Sequence, residues 1–338
     1  MLLYSDFSLT ELNTFNLEAK AELYAEISDK SDIESFVRKR KYLEMPRIVL
    51  GNGSNIVFSS KSFKGVVLKN SIKGIEVLEE NEEQIVVKVA SGEDFDSFVE
   101  YCVKKRFNGL ENLSGIPGSI GGSVVQNIGA YGVEIKDYVQ EVEYYDFTDF
   151  CFKKINASDC KFAYRDSVFK SVMKDTFITA VTLRLYKKFQ PVLGYGNLME
   201  RISGINVLTP MILRKVILGI RFEKIPDYKQ YGSAGSFFKN PEITKSASEK
   251  LLQQFPMLKT YETEDGKKLK LAAGQLIDLC GFKNIVEDDK VTVAKTNALI
   301  MINLGGATGK DIVNFAKKIQ KSVKDKFGIK LEPEVVIC

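Results

Sequence analysis

The spacing of apolar positions lays out the first seventy residues as helix and strand. Between Ser31 and Lys41, Ile33, Phe36 and Val37 share one face of a 3.6-residue period, which predicts a helix. Met45-Pro46 breaks it and leads into the apolar run Arg47-Ile48-Val49-Leu50, a strand, with a second at Gly65-Val66-Val67-Leu68. Beyond Asn70 the period changes to two. Ile75 and Val77 alternate with polar neighbours, an acidic turn runs from Glu79 to Glu83, and Ile85, Val87 and Val89 resume the alternation, as in an antiparallel hairpin. Phe95, Phe98, Val99 and Cys102 return to helical spacing within Asp94 to Lys105, and further strands are predicted from Val139 to Tyr145 and from Phe177 to Leu185. Past Pro191 the chain turns helix-rich. A helix from Ser248 to Phe255 stops before Pro256, and a strand covers Leu299 to Ile302. Thr308-x-x-Asp311 then forms a capping box for a helix with apolar positions Ile312, Phe315, Ala316, Ile319 and Val323, ending at Gly328. The pattern describes an α+β protein of three compact units, the last few residues returning to the first.

Composition narrows the chemistry. At 338 residues and 44% hydrophobic, the chain can bury a substantial core, and a net charge of +4 is too small to argue for nucleic-acid binding. The chain contains no histidine, which excludes Ser-His-Asp and Cys-His triads, histidine-ligated metals and an imidazole proton shuttle. Cys102, Cys151, Cys160, Cys280 and Cys338 form no C-x-x-C pair, so no metal site is expected and the thiols read as reduced. Met1 to Asp6 lacks the features of a secretory leader, and nowhere do eighteen apolar residues run together. A cytoplasmic protein with no membrane insertion is the expectation. Arginine supplies only nine of the 48 basic residues, so an arginine within a motif carries extra weight.

Two segments imitate phosphate loops and fail on spacing. Gly51-Asn52-Gly53-Ser54-Asn55-Ile56 begins like G-x-G-x-x-G but puts Ile56 where the third glycine belongs. Gly305 to Asp311 is one residue short of a P-loop and places Asp311 where a magnesium-binding hydroxyl is required, so it reads as a turn and helix cap. A denser segment, Ser114-Gly115-Ile116-Pro117-Gly118-Ser119-Ile120-Gly121-Gly122-Ser123, continues through Gln126-Asn127-Ile128-Gly129-Ala130-Tyr131-Gly132. A chain this rich in small residues can present backbone N–H groups to an anion, and it can equally be a tight structural loop. Tyr164-Arg165-Asp166-Ser167, Leu193-Gly194-Tyr195-Gly196-Asn197 and Gly235-Ser236-Phe237-Phe238-Lys239-Asn240-Pro241 are further candidates, each modest alone.

Taken in order with Asn13-Thr14-Phe15 and Leu331-Glu332-Pro333-Glu334-Val335, these segments closely resemble the UDP-N-acetylenolpyruvoylglucosamine reductases along the whole chain. The glycine-flanked Tyr195 resembles the longer form of that enzyme, in which a tyrosine loop closes over substrate. The resemblance implies two domains forming a vanillyl-alcohol-oxidase-like FAD-binding unit, residues 1–70 with 329–338 and residues 71–211, and a third α+β domain for substrate, residues 212–328. It implies FAD, noncovalent because there is no histidine to tether it, and NADPH as co-substrate. The reaction it implies is reduction of UDP-N-acetylglucosamine enolpyruvate to UDP-N-acetylmuramate for peptidoglycan, and a monomer is the expectation.

By the same resemblance the cofactor-lining positions are Gly51, Asn52, Gly53, Ser54, Asn55, Pro117, Gly118, Ser119, Gly122, Ser123, Gln126, Asn127, Gly129, Ala130, Tyr131 and Arg221. Ser236 matches the proton donor, Arg165 the residue that binds and polarises the substrate carboxylate, and Glu334 the third catalytic residue. A carboxylate beside a carboxylate requires that Arg165 neutralise one or that Glu334 be protonated; both remain open. Tyr195, Lys224 and Asn240 match positions for the diphosphate, and Tyr261 and Asn297 line the nucleotide sugar. Val336 departs from the arginine that many members carry there, and the acidic loop Val286 to Lys290 is read as facing solvent. The alternatives are a related FAD-dependent oxidase and a nonenzymatic UDP-sugar-binding protein.

Overall fold

Chain contacts in the computed structural model, which describes residues 1–263 and 265–338, separate two units. The first comprises Met1–Phe7, Ala21–Asn52 and Lys64–Arg221, the second Ser8–Lys20, Gly53–Phe63 and Phe222–Cys338. The short stretches 8–20 and 53–63 join the second because Phe15, Leu17 and Val57 are built into its core. Likewise 210–221 joins the first because Leu213, Ile217 and Ile220 pack on Leu198.

The first unit holds two sheets. One orders the strands Leu3–Ser8, Lys20–Ile27, Ser62–Asn70 and Arg47–Leu50, the last two running parallel. The helix predicted from Ser31 starts one residue earlier, at Lys30, where the Asp29 side chain accepts from the Ser31 N–H at 2.7 Å. It ends at Val37 rather than Lys41. Its Ile33 and Phe36 pack with Ala25, Ile27, Val66 and Leu68 and with Tyr145, Phe147 and Phe177 of the other sheet. That second sheet is antiparallel throughout, in the order Cys151–Asn156, Val139–Asp146, Thr176–Tyr186, Gln84–Ala90, Ile75–Glu80. The hairpin lies where alternation placed it, but its turn is tighter: strand pairing continues through Glu80, and Asn81 Oδ1 accepts from the N–H groups of Glu83 and Gln84. Ile85, Val87 and Val89 face the helix Phe95–Lys105, whose Phe95, Phe98, Val99 and Cys102 complete the core.

Charged contacts tie the two sheets. Arg47 makes a bidentate pair with Asp175 at 2.6 and 2.7 Å and lies over the Phe147 ring. Glu143, buried in the second sheet, meets Lys88 at 2.6 Å and Lys30 of the first helix at 2.9 Å.

The second unit is built on the capped helix read from the sequence. It spans Gly309–Phe327; Thr308 and Asp311 exchange the two bonds of a capping box, and Gly328 closes it at φ +69°. Gly309 cannot be replaced cheaply, because a Cβ there would overlap the Phe58 carbonyl. Around this helix lie Ala273–Leu279, Lys245–Gln254 and two three-stranded sheets, one of Glu242–Thr244, Lys268–Leu271 and Thr260–Glu262, the other of Val286–Glu287, Val291–Val293 and Met301–Asn303. The last residues return to the chain near Ile56: Val336–Ile337 runs parallel to Ile56–Val57, and the Cys338 carbonyl accepts from the Ser59 N–H at 2.6 Å. Among the described residues no helix is long and apolar enough to cross a membrane.

Glu143 gives a pH test of the tie between the second sheet and the first helix. Burial alone would raise its pKa, but the hydrogen bonds from Lys88 and Lys30 outweigh it and bring the carboxyl down to about 2. A depressed carboxylate contributes stability above its unfolded pKa and loses it as pH falls toward the folded value. Glu143→Gln should therefore cost about 2 kcal/mol of unfolding free energy at pH 7, with the deficit shrinking between roughly pH 4.5 and 2. Denaturant melts across that range check this; a deficit independent of pH would remove the ion pairs as its cause.

Candidate functional site

In the first unit the site starts where the strand Arg47–Leu50 ends. Asn52 donates to Asp94 Oδ2 at 3.0 Å and to the Gly118 carbonyl at 2.9 Å, and a Cβ on Gly51 would overlap the Ser119 hydroxyl. The glycine loop and the Ser114–Ser123 segment are thus packed against each other. The segment turns into the short helix Ile120–Gln126, capped by Ser119, whose Oγ accepts from Gly122 N at 3.3 Å. Its first amides are already engaged: Ile120 N–H bonds the Glu93 carbonyl and Gly121 N–H that of Ser91. The anion-cradle reading therefore does not apply to these three N–H groups.

Several side chains expected at the cofactor have partners within the protein. Ser123 donates to the Ile120 carbonyl, and Gln126 accepts from Lys170. Asn127, fully buried, ends the helix at φ +43° and binds Glu134, the Ala163 carbonyl and the Lys136 N–H.

Arg221 behaves differently. Its Nε donates to the Gly115 carbonyl at 3.1 Å, and among the described residues this is its one hydrogen bond. Withdrawal from water lowers its pKa, opposed by Tyr131 and Asp96. A desolvated guanidinium with donors to spare, beside a loop of glycines at positive φ (Gly115 +75°, Gly118 +139°), fits an anionic or carbonyl-rich group such as FAD.

Arg165 lies against the same segment. Its Nη2 donates to the Gly129 carbonyl at 2.7 Å, its guanidinium stands over the Tyr164 ring, and its backbone sits at φ +55°, a conformation uncommon outside glycine. Gly129 leaves no room for a side chain, since a Cβ there would lie 2.8 Å from Glu134 Cγ and 3.1 Å from Arg165 Nη1. Next along the chain, the Tyr131 ring meets that of Tyr195 edge-on, centroids 6.3 Å apart. Tyr195 is half exposed and flanked by Gly194 and Gly196, the latter at φ +62°. The first unit thus brings Arg165, Gly129 to Tyr131, Tyr195 and Arg221 into one neighbourhood.

The second unit assembles the other candidates. Ala234, before the partly exposed Ser236, and Phe237 and Phe238, after it, are buried in the core of this unit, which anchors the chain on either side. Ser236 pairs across a bridge with Ile300, while Phe237 donates to the Leu299 carbonyl and accepts from the Glu334 N–H at 2.8 Å. Lys239 N–H bonds the Glu332 carbonyl, and Asn55 holds the Glu334 carbonyl at 3.3 Å. Ser236, Glu334 and Asn55 are therefore neighbours by main-chain pairing. Gly53 touches the Leu12 carbonyl and accepts from Thr14, again inside this unit.

The nucleotide-sugar candidates gather at the start of the helix Ala273–Leu279. Asn240 Oδ1 accepts from Ala273 N at 3.0 Å, and Asn297 Oδ1 would be 3.4 Å from a Cβ on Gly274. The Lys224 carbonyl accepts from Thr296, the neighbour of Asn297. Tyr261, about half exposed, pairs with Lys270 on the strand that leads into this helix. The loop Val286 to Lys290 lines a cleft with Asp311, Asn314 and Lys318, with Glu287 paired to Lys318.

Sequence reading missed the residues behind the site. Asp96 receives both Nη atoms of Arg214, at 2.5 and 2.9 Å, and the Gly115 N–H at 2.5 Å, so the helix Pro210–Lys224 is fastened to the glycine segment. Burial would raise the Asp96 pKa, but these partners bring it below the usual carboxylate value. The signal available was an arginine in a chain poor in them.

Comparison with known proteins adds the family. Residues 227–338 match the model of the UDP-N-acetylenolpyruvoylglucosamine reductase C-terminal domain, and residues 21–149 match an FAD binding domain. The chain is 39% identical to the UDP-N-acetylenolpyruvoylglucosamine reductase of Chromobacterium violaceum over 98% of both chains. Its identity to that of Aliivibrio fischeri is 40%, over 97% of this chain and 92% of the other. The crystal structure of the Thermus caldophilus enzyme shares the fold, with a TM-score of 0.67 at 22% identity, covering 99% of this chain and 98% of that one. With relatives this similar along nearly the whole length, the chain belongs to the UDP-N-acetylenolpyruvoylglucosamine reductase family.

Proposed function

We propose that the chain reduces UDP-N-acetylglucosamine enolpyruvate to UDP-N-acetylmuramate with NADPH, through noncovalent FAD, in the making of peptidoglycan precursors. What carries this reading is full-length membership of the reductase family. The pairing that sets Ser236 beside Glu334 supports the residue roles below. In the proposed domain plan, the two cores of the first unit correspond to the two FAD-binding domains, and substrate is held by residues 212–328.

When bound, FAD would supply the hydride chemistry that links NADPH to the substrate methylene carbon. Gly51 to Asn55, the Pro117 to Tyr131 segment and Arg221 would hold it. The chain's own work is on the enolpyruvyl group. Arg165, its guanidinium oriented by the Gly129 carbonyl, is suited to grip the substrate carboxylate, where negative charge builds in the transition state. Ser236 delivers the proton to the carbon next to the methylene. A serine hydroxyl is a weak acid, adequate only against a strongly basic carbon in a pre-organised place, and the buried Phe237-Phe238 pair supplies that rigidity. Glu334, fixed by its own N–H, is assigned to the carboxylate end of the intermediate. Tyr195, Lys224 and Asn240 are assigned to the diphosphate, and Tyr261 and Asn297 to the nucleotide sugar. The glycine-flanked Tyr195 supports assigning the chain to the longer, tyrosine-loop form of the enzyme.

Purified protein should be yellow and oxidise NADPH only when the enolpyruvyl nucleotide is present; a colourless chain that binds the nucleotide would leave a binding protein. Acid precipitation should release all the flavin as FAD, and flavin retained in the pellet would contradict noncovalent binding. Tyr195→Phe should raise the KM for the nucleotide and leave flavin reduction by NADPH nearly unchanged; equal losses in both half-reactions would deny the loop a substrate role. Ser236→Ala should keep FAD reducible yet slow its reoxidation by substrate roughly 10²- to 10⁴-fold. Arg165→Lys, which keeps charge but loses the fork, should cost about 3 kcal/mol in that same step. Wild-type reoxidation in Ser236→Ala would transfer the proton-donor role elsewhere.

A further inference from the structure

Asn112 belongs to none of the segments assigned to cofactor or substrate, yet its side chain joins two of them. It sits in the short turn Glu111–Leu113, is 2% exposed, and its amide nitrogen donates to the Tyr131 carbonyl and to the Val192 carbonyl, both at 2.8 Å. A primary amide has two donor hydrogens, so both are committed. The turn that presents it is itself fixed: Ser114 Oγ donates to the Glu111 carbonyl at 2.6 Å, and Gly109 N–H binds Glu111 Oε2 at 2.8 Å. The residues it joins are 61 apart in sequence and adjacent in space. A Cβ on Gly132 would come within 3.3 Å of Val192 Cγ1 and 3.6 Å of the Tyr195 Cβ. Tyr131 is at φ +50° and Gly132 at +82°, so this turn has little freedom to follow a moving neighbour.

We infer that Asn112 is a positioning residue for the Tyr195 loop: by clamping the Val192 carbonyl to the Tyr131 carbonyl through one amide, it fixes the stem of that loop and leaves Gly194 and Gly196 as the points about which Tyr195 moves. The inference deepens the reading of Tyr195 as a substrate residue and rests on it for its kinetic part. The other end of the Gly129 to Tyr131 turn carries the carbonyl that orients Arg165, so the same amide sets the spacing between the loop that closes and the arginine that grips the carboxylate. Without the amide, two carbonyl oxygens lose their donor and the stem can swing as well as the tip.

Two measurements on the FAD-loaded enzyme test this. In the first, trypsin nicks the chain after the exposed Lys188 and Arg201, which flank the loop. Asn112→Ala should be nicked roughly fivefold faster or more than wild type, and Asn112→Ser, which keeps one donor, at an intermediate rate. Retained flavin absorbance and near-normal reduction by NADPH show that the fold persists in either variant. Unchanged nicking in both overturns the clamp. In the second, Asn112→Ala should raise the nucleotide KM roughly tenfold with a smaller fall in kcat, and should add little to the KM of a Tyr195→Ala background, since both changes disable one device. Full additivity overturns the inference. Should Tyr195→Ala leave the KM unchanged, the substrate reading of Tyr195 is what fails, and the nicking rates still decide the role of Asn112.

Discussion

The frame of the candidate site in the second unit hangs on a single main-chain hydrogen bond, from the Glu334 N–H to the Phe237 carbonyl. It places a residue near one end of the sequence beside Ser236, and it holds because both sides are buttressed. Phe237 and Phe238 are sunk in the core, while the segment after Glu334 is drawn into a parallel pairing with Ile56–Val57. Asn55 then closes the triangle by holding the Glu334 carbonyl. The positions of these groups follow from backbone pairing, so side-chain changes at Ser236 or Glu334 can alter chemistry without removing the frame that presents them.

The first unit uses side chains for the same purpose. Asn52, Asp96, Asn112, Arg165 and Arg214 each bind main-chain groups or one another around the glycine-rich segment. A segment of small residues has almost no side chains with which to hold itself, so its shape has to be imposed from outside. The desolvated Arg221 is the exception, with donors left over, and that makes it the strongest candidate for direct contact with FAD.

Long, strongly periodic elements were legible in the sequence. The capped helix Gly309–Phe327, the helix Phe95–Lys105 and the strands Val139–Asp146 and Thr176–Tyr186 lie where spacing placed them, within a residue or two. Apart from the one read at Leu299 to Ile302 and found at Met301–Asn303, the second unit's strands, mostly of three residues, were not, because a period of two cannot be read from three positions. Leu3–Ser8 and Lys20–Ile27 were missed too: Leu3–Ser8 is largely exposed and buries no alternating face. At the site, the sequence pointed to Arg165, Ser236 and Glu334 through motif resemblance, and nothing in their local spacing would have done so. Asn112 and Asp96 left no mark at all, since their importance lies in which distant carbonyls, amides and guanidinium they meet. Ser123, Gln126 and Asn127 have protein partners that their positions in a glycine-rich run did not reveal.

The most direct test of the account is an anaerobic titration of the reduced enzyme. Flavin reduced by one equivalent of NADPH should be fully reoxidised by one equivalent of UDP-N-acetylglucosamine enolpyruvate, yielding UDP-N-acetylmuramate, with no oxygen admitted. Flavin that stays reduced in the presence of the nucleotide, and is reoxidised only when oxygen enters, would contradict it and leave an oxidase in its place.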